Sequence, residues 1–210
     1  MPKIKNIIFD LGGVVTESDE NQAVERFKEI GLKDADKRLD KFLQPGIFGQ
    51  LEEGKLSAEE FLEQLGKLTG RKPTFGQCEY AWRGYCKSVP QRNLDMLSEL
   101  RKKGYRVLLL TNNNPFMMSW ARSKDFDGHG ISISHYFDKM YVSYEMKMAK
   151  PSREVFLKVL SDEKIKPEET IFVDDSPRNV EAAAKLGIRT LCPCNNEDWT
   201  APLGKILEER

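Results

Sequence analysis

Short apolar runs that alternate with helical patterns restrict the folds open to this sequence. The runs are rich in Ile, Val, Leu, Phe and Tyr, and they lie at Ile4–Phe9, Tyr105–Leu110, Met140–Ser143, Thr170–Val173 and Ile188–Leu191. Nearly continuous apolar runs of this length are typical of strands buried on both faces of a parallel sheet. The pattern predicts an α/β fold with a doubly wound, parallel, five-stranded, Rossmann-like sheet.

Helical patterns separate the later runs, and local signals mark their ends. They cover Gln91–Lys103, Ser152–Ser161 and Pro177–Leu186. In the third of these, Ser176 is the expected N-cap and Gly187 the expected end. Strands that alternate with helices predict a doubly wound α/β core.

The segment Asp19–Lys87 breaks this alternation, because it shows no convincing strand. Its helical patterns, together with one at the end of the chain, cover Asn21–Ile30, Ala35–Phe42, Ala58–Leu68, Phe75–Lys87 and Leu203–Glu209. We therefore predict that residues 17–90 form a helical cap domain inserted into an α/β core made of residues 1–16 and 91–210.

The composition argues against several classes of partner. Lys plus Arg and Asp plus Glu number 33 each, so the formal net charge is zero. Nucleic acid is not expected as a partner, since no basic excess is available to follow a phosphate backbone. No membrane association is expected, because no apolar run approaches the roughly 20 residues of a membrane helix. The start of the chain lacks a signal-peptide pattern, and we expect a cytoplasmic protein with free thiols.

Polar residues that could take part in catalysis or binding follow four of the apolar runs. They are Asp10, Thr111, Asn112, Lys150, Asp174 and Asp175. Ligands bind at the carboxyl ends of strands in open α/β sheets, so these side chains are expected to lie close together. Adjacent carboxylates at a buried strand end need a positive partner, and oxygen ligands favour Mg²⁺. Taken singly, most of these residues also fit turns, caps or solvated side chains, and Lys147 competes with Lys150.

In this order, the residues resemble the four motifs of the haloacid dehalogenase superfamily. The first motif is the Asp10–Val14 segment, and Thr111, Lys150 and the Asp174–Asp175 pair stand at the other three. The resemblance spans residues 4 to about 195. Gly54–Phe61 also resembles a segment of the helical cap of that family.

The resemblance implies a phosphoric monoester hydrolase that acts on a small phosphorylated metabolite. Asp10 would attack phosphorus and form an aspartyl-phosphate. Magnesium would be held by Asp10, the Gly12 carbonyl and Asp175, with Asp174 alongside. Thr111, Asn112 and Lys150 would stabilise the phosphoryl oxygens, and Lys150 would also be catalytic.

The cap is expected to close over the site and to select the substrate. Phe48, Gln50 and Trp82 are candidate contacts with the substrate, although aromatic residues of a cap more often belong to its core. The sequence does not indicate the oligomeric state or the identity of the substrate.

Gly12 departs from the family pattern, because most phosphatases of the superfamily carry an aspartate there as general acid. Without it, esters with weakly basic leaving groups should react best, so sugar 1-phosphates are the expected substrates. Glu17 or Asp19 could replace the acid, and a substrate hydroxyl or a metal-bound water could also donate the proton. Three alternatives stay open: a low-turnover phosphate-binding or regulatory module, a dehalogenase and a phosphosugar mutase. The paired Asp174 and Asp175 argue against a dehalogenase.

Overall fold

The computed structural model describes residues 3–40 and 44–208. Within them the strands are β1 (Asn6–Phe9), β2 (Glu17–Ser18), β3 (Cys86–Ser88), β4 (Arg106–Thr111), β5 (Lys139–Val142), β6 (Thr170–Val173) and β7 (Arg189–Leu191). Five of them pair in parallel as one sheet in the order β5-β4-β1-β6-β7. The predicted five-stranded parallel sheet is therefore confirmed, and each predicted strand is shifted by no more than two residues.

Helices cover both faces of this sheet. In chain order they are α1 (Glu20–Glu29), α2 (Ala35–Arg38), α3 (Gly46–Glu52), α4 (Ala58–Thr69), α5 (Phe75–Arg83), α6 (Gln91–Lys102), α7 (Pro115–Ala121), α8 (Ser143–Met146), α9 (Arg153–Glu163), α10 (Pro177–Ala184) and α11 (Thr200–Glu208). No helix of the described residues combines the length and the apolar character that a bilayer span needs.

Successive side chains of the central strand enter opposite layers of the core. Ile7 and Phe9 belong to the larger hydrophobic cluster, which also contains residues of α6 and α7. Ile8 belongs to the second cluster, with Val155 of α9 and Ala183 of α10. This alternation follows from the two-residue period of a strand, and it explains why the runs are apolar throughout.

A short antiparallel ribbon corrects the expectation of no strand between Asp19 and Lys87. β2 pairs with β3, with Glu17 opposite Ser88 and Ser18 opposite Cys86. The ribbon was missed because two- and three-residue strands of mostly polar residues show no alternation. It brings together the two ends of the helical segment, close to the predicted boundaries at 17 and 90. The division into cap and core stays a prediction.

Two predicted helices end earlier than expected. The helix predicted over Ala35–Phe42 ends at Arg38, because Leu39 has extended backbone, and residues 41–43 lie outside the described part. The helix predicted over Phe75–Lys87 ends at Arg83, because the chain continues into β3. The predicted C-terminal helix begins earlier, at Thr200, and Glu209 is outside the described residues.

An aromatic cluster holds the helical segment together. Phe27, Phe48, Phe61 and Trp82 come from four helices and are all buried. Their ring centroids lie 5.3–6.4 Å apart in edge-on or tilted pairs, the geometry that aromatic quadrupoles favour. Phe61 also contacts Phe116 of α7 at 5.6 Å between centroids, so the segment is anchored on the helices of the sheet.

Candidate active site

Parallel strands carry the predicted residues to one cavity. Asp10 directly follows β1, and its amide donates to the Val173 carbonyl of β6 at 2.9 Å. A cavity of about 370 Å³ opens at this edge of the sheet. Its wall includes most of the predicted site residues, namely Asp10, Gly12, Thr111, Asn112, Lys150 and Asp175. Asp174 is fully buried beside them.

A buried lysine lies between two carboxylates. The Lys150 Nζ atom is 2.8 Å from Oδ1 of Asp10 and 2.6 Å from Oδ2 of Asp174. The Lys150 side chain is 1% exposed and that of Asp174 is 0% exposed. Burial opposes the charge of Lys150, but the two carboxylates outweigh it and raise the pKa of this ammonium group. The lysine is therefore held as a cation at the base of the cavity.

The side chain of Asn112 fixes the backbone of Lys150. Its Nδ2 donates to the Lys150 carbonyl at 2.8 Å, and its Oδ1 accepts from the Lys150 amide at 2.9 Å. A contact of Asn112 with substrate would use the second hydrogen of its amide group. Lys147, the competing lysine, is exposed and does not line the cavity.

Asp174 is also tied to the start of α10. Its Oδ1 accepts from the Ser176 amide at 2.8 Å and from Asn179 Nδ2 at 3.0 Å. These donors and Lys150 together compensate a carboxylate that has been removed from water. Asp175, in contrast, lies on the wall of the cavity.

Three carboxylates form a cluster that suits a hard cation. One ligand atom from each of Asp10, Asp174 and Asp175 lies within 4.8 Å of the others. Burial, together with the charges of Asp174 and Asp175, outweighs Lys150 and raises the pKa of Asp10 to about 7. A divalent cation would offset this repulsion, and oxygen ligands are those that Mg²⁺ prefers. The residues present therefore fit a magnesium ion.

Gly13 allows the first loop to approach this cluster closely. It has a φ of +75°, and a Cβ atom there would lie 2.3 Å from Asp175 Oδ2. Any other residue would collide with that carboxylate in addition to adopting a disfavoured backbone conformation. The glycines after Asp10 thus serve the close approach that the sequence pattern suggested.

Of the three residues suggested as cap contacts, Trp82 alone is among the residues of the cavity wall. Phe48 belongs to the aromatic cluster, and Gln50 is exposed to solvent. The two suggested substitute acids have other roles. Glu17 accepts from Ser88 Oγ at 2.8 Å, and Asp19 caps α1 by accepting from the Asn21 amide.

Sequence reasoning missed Glu52, which ends α3 and lines the cavity. Burial, then the charges of Asp10 and Glu53, raise the pKa of Glu52 to about 8. The side-chain amide of Asn114 acts to lower the pKa of Glu52. Its Nδ2 atom nevertheless makes no hydrogen bond of standard geometry. A glutamate in a charged segment, as in Glu52-Glu53-Gly54-Lys55, has no sequence signal that separates it from solvated neighbours.

Comparisons with known proteins agree with this geometry. A family model described as a haloacid dehalogenase-like hydrolase matches residues 4–187. A D-ribitol-5-phosphate phosphatase of Bacteroides thetaiotaomicron is 48% identical over 204 residues, which cover 97% of this chain and 98% of the relative.

Solved structures are similar over the whole length. A predicted HAD-like family hydrolase from Porphyromonas gingivalis has a TM-score of 0.93 at 38% identity, with 100% of both chains covered. A HAD family enzyme from Bacteroides thetaiotaomicron, solved with magnesium and inorganic phosphate, has a TM-score of 0.86 at 38% identity. That comparison covers 95% of this chain and 98% of the other.

Proposed function

The chain belongs to the haloacid dehalogenase-like hydrolases, and on this basis we propose that it is a magnesium-dependent phosphatase of a small phosphorylated sugar or sugar alcohol. The reaction passes through an aspartyl-phosphate on Asp10. The observation that carries this proposal is the position of Lys150, buried between Asp10 and Asp174 at the base of the cavity. A site built this way offers a nucleophile, a cation and a cluster of metal ligands side by side.

The metal ligands in this proposal are Asp10, the Gly12 carbonyl and Asp175, with Asp174 alongside. When bound, Mg²⁺ neutralises charge on the phosphoryl oxygens and so lets an anionic nucleophile approach an anionic ester. The cluster of three carboxylates supports this assignment, because their mutual repulsion requires a compensating cation. The match to a structure solved with magnesium supports it further.

The protein's own groups then divide the work of phosphoryl transfer. The Asp10 carboxylate attacks phosphorus, and the ester oxygen leaves from the opposite side. Lys150 Nζ, Thr111 Oγ1 and the Asn112 amide stabilise the phosphoryl oxygens. Thr111 suits this role because it is 2% exposed and lines the cavity. Asn112 also holds Lys150 in position.

The cavity supports a polyhydroxylated substrate. Beyond the phosphate region it presents Ser18, Gln44 and Tyr85, which can exchange hydrogen bonds with hydroxyl groups. Trp82 lines the same space, and its buried Nε1 has no hydrogen-bond partner among the described residues. The relative named for D-ribitol 5-phosphate makes a sugar-alcohol phosphate the first substrate to test.

We also assign residues 17–90 as the cap that closes over this cavity, since Glu52 and Trp82 of that segment lie on its wall. The proposed compartment is the cytoplasm. The four cysteines are free thiols in the structure, which suits a reducing environment.

The test is phosphate release from D-ribitol 5-phosphate and from sugar 1- and 6-phosphates, with Mg²⁺ and with a chelator. We expect turnover that depends on Mg²⁺ and is highest on one of these esters. Tight binding of the esters without phosphate release would instead support the phosphate-binding module. Release of halide from 2-haloacids without metal would support a dehalogenase.

A further inference from the structure

Gly12 leaves the proposed reaction without an acid at the position where the family usually carries one. D-ribitol 5-phosphate is the ester of a primary alcohol, whose alkoxide is a strongly basic leaving group. Such an ester needs a proton at the leaving oxygen as the P–O bond breaks. If the proposed function holds, a carboxyl group of the cavity wall is the first candidate to supply that proton.

Few carboxyl groups of the cavity wall are free for this task. Asp10 and Asp175 belong to the metal cluster, and Glu53 is paired with Lys55. Glu20 and Glu52 remain. Glu52 lines the same cavity as Asp10.

The core of the protein holds Glu52 in place. Ser143, which directly follows β5, donates from Oγ to the Glu52 carbonyl at 2.6 Å. The same Oγ accepts from the Asn113 amide at 2.9 Å. Two residues after Glu52, a Cβ atom on Gly54 would lie 2.3 Å from the Tyr144 carbonyl. The end of α3 is thus docked against the start of α8, which is itself tied through Ser143 to Asn113, the residue after Asn112.

We infer that Glu52 is the general acid and base of the reaction. In the first step its carboxylic acid gives a proton to the leaving ester oxygen while Asp10 bonds to phosphorus, and the alcohol departs. In the second step the Glu52 carboxylate takes a proton from water as the water oxygen attacks phosphorus. The Asp10–phosphorus bond breaks, phosphate leaves, and Glu52 is protonated again.

The surroundings of Glu52 favour the protonated form that the first step needs. In the metal-free protein, burial and then the negative charge of Asp10 raise the pKa of this carboxyl to about 8. Raised carboxyl pKa values of this kind are typical of general acids.

The first test compares leaving groups in Glu52→Gln and wild type, with Mg²⁺ present. For D-ribitol 5-phosphate and phenyl phosphate, kcat/KM should fall by roughly 10²–10⁴-fold. For p-nitrophenyl phosphate, whose leaving group needs no proton, the loss should be far smaller. Glu17→Gln is the matched control, because Glu17 is a partly buried glutamate outside the cavity wall. Its kcat/KM values on the three esters should stand in the same ratios as those of wild type.

The second test follows the pre-steady state with p-nitrophenyl phosphate. Glu52→Gln should release about one equivalent of nitrophenolate per site in a burst and then turn over slowly, because water activation is impaired. Should Glu52→Gln fail to fold, Glu52→Asp takes its place and should show a smaller loss that still increases with leaving-group basicity. Equal losses on all esters without a burst, or a loss below about threefold on the alkyl ester, would overturn the assignment. A wild-type protein inactive on every ester would overturn the proposed function as well.

Discussion

The ammonium nitrogen of Lys150 lies 2.8 Å from Oδ1 of Asp10, although the two residues are 140 positions apart in the chain. The lysine is nearly inaccessible to solvent, and a second carboxylate, that of Asp174, shares it. Buried ion pairs are costly to desolvate. Their presence at the ends of two neighbouring strands, β1 and β6, therefore indicates chemistry more than it indicates stability.

Lys150→Ala should abolish most of the activity, with kcat/KM for p-nitrophenyl phosphate falling by roughly 10²–10³-fold. The cause is the loss of the charge that faces the phosphoryl group. Lys147→Ala is the control, since Lys147 is exposed and outside the cavity wall, and it should stay within about twofold of wild type. A larger loss in Lys147→Ala would show that the functional lysine is misassigned.

Substitution of the two adjacent aspartates should affect different properties, metal affinity for Asp175 and stability for Asp174. Asp175→Asn should weaken Mg²⁺ binding more than Asp174→Asn does, as measured by calorimetric titration. Asp174→Asn should instead lower the free energy of unfolding by about 3–5 kcal/mol, because it removes one carboxylate from a buried ion pair. Equal magnesium affinities in the two variants would contradict this division of roles.

Glu52 should make the metal-free protein less stable as the pH rises. Its pKa is about 8 in the folded chain against an ordinary 4.5, because burial disfavours its charge. The unfolded state therefore releases this proton more readily, and stability is lost across that window. The free energy of unfolding is measured in urea with a chelator. The value for Glu52→Gln should increase relative to that of wild type as the pH rises from 4.5 to about 8, because wild type loses stability over this range. A difference that is independent of pH would show that the Glu52 carboxyl is not perturbed.

An acid placed at position 12 should compensate for a missing Glu52. Gly12→Asp in the Glu52→Gln background should restore part of the kcat/KM lost on phenyl phosphate, as judged against Glu52→Gln alone. A Cβ atom at this position would meet Ser18 Oγ at 3.1 Å, and a serine side chain can rotate away. A double variant that gains on p-nitrophenyl phosphate as much as on phenyl phosphate would indicate an effect other than proton donation.

Strand positions and strand-end residues were readable from the sequence. In both cases an apolar run predicts a buried strand, and the carboxylate of Asp10 or Asp174 follows it directly. Few other sequence patterns place a reactive group next to a buried strand. The rule that ligands bind at the carboxyl ends of strands then brought these residues to one site. The match to the haloacid dehalogenase-like family confirms the predicted family, and the named phosphatase relative confirms the predicted phosphatase class.

The parts that were missed depend on tertiary contacts. Glu52 has the same local sequence pattern as its neighbour Glu53, and its position on the cavity wall depends on the docking of α3 on Ser143. The helix α7 was missed because Pro115–Ala121 is apolar except for the exposed Ser119, so it shows no helical alternation of polar and apolar residues. The preference for sugar 1-phosphates stays a prediction. If Glu52 protonates the leaving oxygen, the enzyme should discriminate less between sugar 1-phosphates and esters of primary alcohols.

The most direct measurement is the Mg²⁺-dependent hydrolysis of p-nitrophenyl phosphate by wild type and by Asp10→Asn. The substitution keeps the size of the side chain and removes the nucleophilic charge, so turnover should drop by roughly 10³-fold or more while the circular dichroism spectrum is unchanged. Wild-type turnover should vanish with a chelator and return with Mg²⁺. An Asp10→Asn variant that retains about a tenth of wild-type turnover would contradict the assignment of Asp10 as the nucleophile.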